Sequence, residues 1–202
     1  TLPASSAASD VYKRQMLLIG LICLYQLNIY TWFVAVSALP LVILYPLAKR
    51  FTKWPQIILG LTFSWAVPTA WSAANEEWNL GIFIMYLATV FWIIGYDTIY
   101  GCQDKNEDEI FGIKNSAVSA KNFLTLFVGC SYSLMFCLLI ISGYLLNNNI
   151  FWFIGVSICG LHLIYQVIKI KNIEQNNPLQ IFKSNVVLGL LLTLSSLGNY
   201  IR

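Results

Sequence analysis

Acidic side chains are concentrated in one short segment, YDTIYGCQDKNEDEIFGIKNSA, which follows a long apolar run. Five residues of this segment are spaced at i, i+3, i+4, i+7 and i+11: Asp97, Tyr100, Gly101, Asp104 and Asp108. That spacing predicts one face of a helix continuing past the apolar run. Carboxylates stacked in this way repel one another unless a cation lies between them, and oxygen donors favour Mg²⁺. Because Mg²⁺ usually fills its remaining positions with water and phosphate, the stripe predicts a phosphorylated substrate.

The distribution of charge predicts which elements carry this segment. The chain has 202 residues and is 58% hydrophobic, with only 12 basic and 9 acidic residues. Soluble domains usually have about 25% charged residues. This composition excludes a DNA-binding protein, a disordered chain and a small secreted scaffold. Five windows contain no Asp, Glu, Lys or Arg: 16–48, 54–75, 78–96, 122–168 and 184–201.

Each window is predicted to hold membrane spans, because crossing a bilayer takes roughly 20 apolar residues. Asn28 divides the first window, and the triplet Asn147-Asn148-Asn149 divides the fourth. We predict an all-α integral membrane protein with a bundle of about seven helices, the first of them truncated. Asp97 then lies at a membrane edge, so the phosphorylated substrate is expected to be a lipid. The predicted spans are 16–27, 29–48, 55–74, 79–98, 122–146, 150–169 and 182–201.

Residues 1–15 differ from the rest of the chain. They begin with Thr1 and have no charged segment followed by an apolar one, so they do not predict a signal peptide. Their last six residues, DVYKRQ, resemble the translated end of a transposon sequencing adapter. We expect a non-native tail over 1–15 and a transmembrane domain over 16–202; an ordinary polar tail is the alternative.

Basic residues predict the orientation, since cytoplasmic loops are enriched in Lys and Arg. Leaving aside Lys13 and Arg14 in the 1–15 segment, nine basic residues fall on one side and only Arg202 on the other if the spans alternate. The acidic segment and the loops after 29–48 and 150–169 are therefore expected in the cytoplasm, with Glu76 and Glu77 outside. The expected location is the bacterial inner (cytoplasmic) membrane. The nine basic residues are Lys49, Arg50, Lys53, Lys105, Lys114, Lys121, Lys169, Lys171 and Lys183.

A second segment of the same side, YPLAKRFTKWPQIILGLTF, runs from Tyr45 to Phe63. The acidic segment has the form D-x-x-Y-x-x-x-D-x-x-x-D, followed by G-x-K at Gly112 and Lys114. Together the two segments resemble the UbiA family of intramembrane prenyltransferases, and most closely its 4-hydroxybenzoate polyprenyltransferases of ubiquinone biosynthesis. The resemblance extends over 16–202.

Some positions depart from the family pattern. Gly101 stands where the family usually has Ala, and Asn115 stands where Ser or Thr usually follows the Lys. The family has nine transmembrane helices and a first aspartate motif, N-D-x-x-D-x-x-x-D, which does not occur in this sequence. The resemblance implies the C-terminal part of a nine-helix fold that lacks the first two helices and half of the metal site. Such a fragment is expected to be inactive alone.

The resemblance also implies the chemistry. Mg²⁺ held by two aspartate motifs binds a polyprenyl diphosphate, the C–O bond ionises, and the allylic cation alkylates the ring of 4-hydroxybenzoate. Asp97, Asp104 and Asp108 take the catalytic, metal-binding role. The positive-inside bias alone also explains basic residues at these places, and Tyr is common at membrane interfaces. The substrate-binding residues implied are Tyr100, Lys49, Arg50, Lys53, Lys114 and Asn185.

Two further residue types are assigned structural roles. His162 lies inside a predicted span, so we expect a packed or carbonyl-bonded side chain and not a catalytic base. The five cysteines show no C-x-x-C spacing and are interpreted as packing residues. The net charge of +3 needs no nucleic-acid partner to explain it.

The sequence is also compatible with other functional classes. A secondary transporter would use the carboxylates as a relay, but it predicts ionisable residues near the centres of spans. Every predicted span centre lacks Asp, Glu, Lys and Arg. A scaffold subunit leaves the aspartate spacing unexplained, and a UbiA-type prenyltransferase with a different aromatic acceptor is also compatible with the sequence.

Overall fold

The structure, a computed structural model, describes residues 2–75, 77–112, 114–173 and 176–198. Within these ranges it describes no side chains for 2–10, Lys13, Lys49, Arg50, Asn106 and Phe111. The described residues form helices and connecting turns, without strands. The helices are α1 (Leu2–Tyr25), α2 (Ile29–Val36), α3 (Leu39–Phe51), α4 (Pro55–Ser64), α5 (Ala66–Ala74), α6 (Leu80–Tyr100), α7 (Lys105–Phe111), α8 (Ser116–Ser119), α9 (Leu124–Leu145), α10 (Ile150–Ile170), α11 (Pro178–Lys183) and α12 (Asn185–Leu197).

Six segments of the described chain are long and apolar enough to cross a membrane. Three are the single helices α6, α9 and α10, and three are consecutive pairs, α2–α3, α4–α5 and α11–α12. A shorter apolar stretch, Arg14–Tyr25, coincides with the predicted truncated span. The prediction of an all-α membrane protein is confirmed. The predicted division between a tail and a domain falls inside α1 and stays a prediction. The six segments are Ile29–Ala48, Pro55–Ala74, Leu80–Tyr100, Leu124–Leu145, Ile150–Ile170 and Pro178–Leu197.

Asparagine side chains set the helix boundaries that the sequence predicts. The Asn28 side-chain oxygen accepts a hydrogen bond from the Thr31 N–H at 2.8 Å and so caps α2. Its amide donates to the Ser72 carbonyl at 2.9 Å, which ties α2 to the end of α5. Asn147 takes a left-handed conformation, φ 54°, and Asn149 caps α10 through the Phe151 N–H at 3.0 Å. The structure has helix boundaries at both of these places.

The helix α6 lies between α4 and α9 and contacts α11 near its Asp97 end. Gly95 permits the close approach of α9, because a Cβ at this position would overlap the Tyr132 ring. On the same pair of helices, Ala88, Val128 and Met135 are almost fully buried. This packing fixes α6, and with it the start of the acidic segment.

Candidate active site

The acidic segment does not form one continuous helix, and the prediction of a single stripe is wrong. α6 ends at Tyr100, and α7 begins only at Lys105. In between, the Cys102 N–H donates to the Ile99 carbonyl at 3.1 Å and the Gln103 N–H to the Tyr100 carbonyl at 3.0 Å, which tightens the chain into a turn. The carbonyl of Gly101, which follows α6, is hydrogen-bonded by a side chain from a later part of the chain and not by the next helical turn.

That side chain belongs to Asn115, a buried residue immediately before α8. Its side-chain N–H₂ donates to the Gly101 carbonyl at 3.2 Å and to Asp108 Oδ2 at 2.8 Å. Its side-chain oxygen accepts from the Ala117 N–H at 3.0 Å and thereby caps α8. One asparagine therefore joins the end of α6, the helix α7 and the start of α8.

Gln56 connects this cluster to the second segment of the sequence. Its Nε2 donates to Asn115 Oδ1 at 3.0 Å, and its Oε1 accepts from the Ser116 N–H at 3.1 Å. Pro55 lies in the first turn of α4, where its missing N–H costs no helical bond, and Gln56 follows it against the acidic segment. The Ser119 hydroxyl adds a bond to the Lys53 carbonyl at 2.9 Å. The segment from Tyr45 to Phe63 and the acidic segment are thus in direct contact.

Sequence reasoning missed Gln56 and Asn115 as members of the site. Gln56 was visible as the Q of the string K-R-F-T-K-W-P-Q, and Asn115 only as a departure from a family pattern. Asn and Gln in polar loops are the residue types that could have indicated such a cluster, because an amide side chain offers both donors and acceptors to backbone groups.

The three aspartates differ in their surroundings. Asp97 is half-buried on the last turn of α6, whereas Asp104 is exposed at the start of α7 and makes no capping bond. Asp108 is half-buried and bonded to Asn115. Gly112 ends α7 in a left-handed conformation, φ 67°, with its N–H bonded to the Asp108 carbonyl. The segment then turns back toward the buried Asn115.

Within the described ranges, no three His, Cys, Asp or Glu side chains come together as a metal site. The described residues therefore do not form a metal site made of protein ligands alone. The carboxylates still fit Mg²⁺ bound mainly through phosphate, since that ion takes one or two protein carboxylates. The neutral amide of Asn115 holds one oxygen of Asp108 without neutralising its charge. The residues suited to such an ion are Asp104 and Asp108, with Asp97 one element away.

The predicted basic residues lie in two places. Lys49 and Arg50 occupy the last turn of α3, and their side chains lie outside the described part of the structure. Lys53 is exposed in the turn before α4, and Lys114 is half-buried next to Asn115. The structure thus brings Lys114 to the acidic segment and leaves the reach of the α3 pair undescribed.

One of the basic residues predicted to be cytoplasmic, Lys121, has a different partner. Lys121 forms an ion pair with Glu109, at 2.9 Å from Nζ to Oε1. This bond and the charge of Lys121 hold the pKa of Glu109 below its ordinary value. Glu109 therefore belongs to a surface pair, and it is separate from the cluster around Asn115.

Aromatic rings continue along the same end of α6. The Tyr100 ring lies 4.9 Å from the Phe182 ring, and Tyr96 lies 5.6 Å from Phe182. Asn185 is buried; its Oδ1 accepts from Trp92 Nε1 at 2.9 Å, and its Nδ2 donates to the Phe182 carbonyl at 3.0 Å. Tyr100 is thus close to the aspartates along α6, while Asn185 is bonded to a deeper turn of the same helix.

His162 and the cysteines lie outside the cluster around Asn115. His162 Nε2 is 3.0 Å from Ser184 Oγ, so its partner is a hydroxyl and not a backbone carbonyl. All five cysteines are free. The interpretation as packing residues fits the buried Cys159, but Cys23, Cys130 and Cys137 are exposed on helix surfaces. Burial raises the pKa of the partly buried Cys102 thiol to about 11.

Comparison with known proteins identifies the family. The UbiA prenyltransferase family matches residues 15–193. The 4-hydroxybenzoate octaprenyltransferase of Francisella tularensis subsp. novicida (strain U112) is 38% identical over 184 residues, which are 91% of this chain and 65% of the relative. The mitochondrial 4-hydroxybenzoate polyprenyltransferase of Dictyostelium discoideum is 40% identical over 179 residues, 85% of this chain and 37% of the relative. No solved structure gives a significant match. The resemblance drawn from the sequence is confirmed, and the chain belongs to the UbiA prenyltransferase family.

Proposed function

We propose that this chain is part of an enzyme that transfers a polyprenyl group from polyprenyl diphosphate to the ring of 4-hydroxybenzoate in ubiquinone biosynthesis. The names of the Francisella and Dictyostelium relatives support the substrate pair. The observation that carries the proposal is the bond network from Gln56 through Asn115 to Asp108. It joins the two family-like segments at one end of the membrane helices.

In the proposed reaction, the carboxylates of Asp97, Asp104 and Asp108 are the groups that hold the cation of the diphosphate. Mg²⁺, when bound, neutralises the negative charge that grows on a leaving diphosphate. The other residues of this chain hold the carboxylates in position. α6 fixes Asp97 through its packing, and Asn115 fixes Asp108 through the bond to Oδ2.

Basic and aromatic residues take the substrate contacts in this proposal. Lys114, next to the cluster, is placed to donate charge-assisted hydrogen bonds to phosphate oxygens. Lys49, Arg50 and Lys53 are assigned the same task from the loop between α3 and α4. Two further residues are proposed as substrate contacts: Tyr100, which is exposed one turn beyond Asp97, and Asn185.

The membrane helices supply the other requirement, a place without water. An allylic cation reacts with water unless the surrounding site excludes it. The spans place an apolar environment directly beside Asp97, where the polyprenyl tail partitions with the lipid. We propose a location in the bacterial inner membrane with the acidic segment in the cytoplasm, since nine basic residues lie on that side in the predicted topology.

The chain spans 65% of the length of the Francisella relative, so an assay needs the remaining part. The test uses a chimera in which the matching segment of that relative is replaced by the corresponding residues of this chain. Membranes containing the chimera receive polyprenyl diphosphate and radiolabelled 4-hydroxybenzoate. The expected result is a labelled lipid product that disappears when a chelator removes divalent ions. Product formation that is unaffected by the chelator contradicts the metal role.

Single substitutions test the three aspartates. Asp97→Ala, Asp104→Ala and Asp108→Ala should each lower turnover by on the order of 100-fold, because each removes charge stabilisation that is realised as the leaving group departs. Glu109→Ala is the matched control, since Glu109 lies on α7 but pairs with Lys121. Unchanged turnover in all three aspartate variants rejects the mechanism. Other hydroxybenzoates offered as acceptors test the alternative of a different aromatic substrate.

A further inference from the structure

The side chain of Asn115 has all of its hydrogen-bonding capacity in use. An amide offers two N–H donors and two acceptor positions. Here the donors go to Gly101 O and Asp108 Oδ2, and the acceptors receive Gln56 Nε2 and the Ala117 N–H. Rotating the amide by half a turn would set its N–H₂ against two other donors. The orientation of the group that holds Asp108 is therefore determined by the surrounding bonds.

Gly101 makes room for this amide. A Cβ built on Gly101 would lie 2.6 Å from Asn115 Oδ1 and 2.7 Å from Nδ2. The backbone of Gly101 is ordinary, with φ −61° and ψ −12°, so an alanine would meet no conformational strain there. The three atoms nearest to that Cβ all belong to the Asn115 side chain, so the contact with Asn115 is what favours glycine at this position.

We propose that Asn115 is the positioning residue for Asp108 and that Gly101 is its necessary partner, an inference that rests on the proposed function of Asp108. In the structure the two residues touch each other. The larger amide of Asn115 and the absent side chain of Gly101 form one unit, and Asp108 is oriented by it.

Asp108 needs such a partner because of the element that carries it. α7 has seven residues, a length at which an isolated helix is marginal in water. Its ion pair from Glu109 to Lys121 is exposed, with 47% and 51% of the side chains accessible, and exposed pairs orient a helix weakly. Asn115 is anchored from the other side by Gln56 on α4. It therefore connects Asp108 to a membrane helix.

The proposal predicts a specific non-additivity. Gly101→Ala pushes the Asn115 amide away and breaks its bonds to Asp108 and Gln56. Asn115→Ser removes the bond to Asp108 but keeps a good cap for α8, since serine caps helices well. In the double variant the added methyl group meets no amide, so Gly101→Ala should add no further defect. Gly129→Ala is the matched control, because its nearest neighbour, Val167, is 3.8 Å from the added Cβ.

The first measurement uses the full chain in detergent micelles and needs no substrate. Thermal unfolding should occur at a lower temperature for Gly101→Ala than for the unchanged chain. The double variant should unfold at the temperature of Asn115→Ser, and Gly129→Ala near that of the unchanged chain. If Gly101→Ala unfolds like Gly129→Ala, the contact with Asn115 has no energetic weight and the proposal is wrong.

The second measurement uses the chimera and separates positioning from folding. Gly101→Ala should lower kcat by about 100-fold, the cost of a misplacement near 1 Å. Asn115→Ser and the double variant should each lower kcat by about tenfold and leave KM for 4-hydroxybenzoate unchanged. The equal effects of these two variants are the expected sign of coupling between the neighbouring positions 101 and 115. Binding of Mn²⁺ in the presence of inorganic diphosphate, followed by electron paramagnetic resonance, should weaken in the same order.

The outcomes distinguish the two proposals. An unchanged chimera that neither prenylates nor binds Mn²⁺ with diphosphate rejects the proposed function, and the unfolding data still test the contact. An active chimera in which the double variant loses the product of both single effects rejects the positioning role while the function stands. A defect in KM for 4-hydroxybenzoate in Asn115→Ser has the same meaning, because it indicates a damaged acceptor site.

Discussion

Gln56→Leu is the substitution that most directly tests the bonds between the two polar loops. Gln56 is 7% exposed, and leucine has a similar volume without hydrogen-bonding groups. The variant removes the bond to Asn115 Oδ1 and the acceptor of the Ser116 N–H, which are 3.0 and 3.1 Å long. Ser116 is fully buried, so its N–H has no route to water.

The magnitude follows from these two losses. A buried donor left without a partner costs about 1–3 kcal/mol, and an ordinary hydrogen bond contributes about 1 kcal/mol. We therefore expect Gln56→Leu to lower the free energy of unfolding by about 2–4 kcal/mol. Unfolding by sodium dodecyl sulfate in mixed micelles, followed by tryptophan fluorescence, measures this quantity.

A matched control lies in the other loop. Gln103 is exposed and donates to the Tyr100 carbonyl at 3.2 Å. Gln103→Leu should change the free energy of unfolding by at most about 0.5 kcal/mol, as surface substitutions usually do. Equal effects of Gln56→Leu and Gln103→Leu would refute the reasoning, because they would mean that the buried amide contributes no more than a surface one.

Three further predictions concern other parts of the chain. Gly95→Ala should destabilise the protein by about 1–3 kcal/mol, since the added methyl group overlaps the Tyr132 ring between α6 and α9; an unfolding midpoint equal to that of the unchanged chain contradicts this packing. Alkylation of Cys102 by iodoacetamide, followed by mass spectrometry, should still accelerate above about pH 9, because burial raises the pKa of this thiol to about 11; a plateau near the ordinary thiol pKa of about 8.5 contradicts it. In a cysteine-free background, an impermeant thiol reagent added outside should label a cysteine at Glu77 and spare one at Lys53, and the reverse pattern would overturn the proposed orientation.

The sequence was sufficient for the membrane fold because the bilayer restricts the possible structures so strongly. A charge-free run of about 20 residues has few solutions other than a helix, since backbone groups in lipid must bond internally. The breaks were equally visible, because Asn28 and the triplet Asn147-Asn148-Asn149 interrupt apolar runs with residues that cap helices.

The site was only partly predictable. Periodicity placed Asp97, Asp104 and Asp108 on one stripe, but periodicity describes a helix in isolation. The Gly101 carbonyl accepts a bond from Asn115, 14 residues later in the chain, and Asn115 is held by Gln56, which precedes it by 59 residues. Contacts over such separations leave no periodic signal in the sequence. They appear only when the helices are packed.

The central proposal is that Asp97, Asp104 and Asp108 of this chain belong to a prenyl-transfer site that also needs the segment of the Francisella relative outside the match. The most direct test compares membranes containing equal amounts of the 202-residue chain and of the chimera, each supplied with polyprenyl diphosphate, Mg²⁺ and radiolabelled 4-hydroxybenzoate. We predict labelled prenylated product from the chimera and none from the chain alone. Product from the chain alone, or none from the chimera, would contradict the proposal.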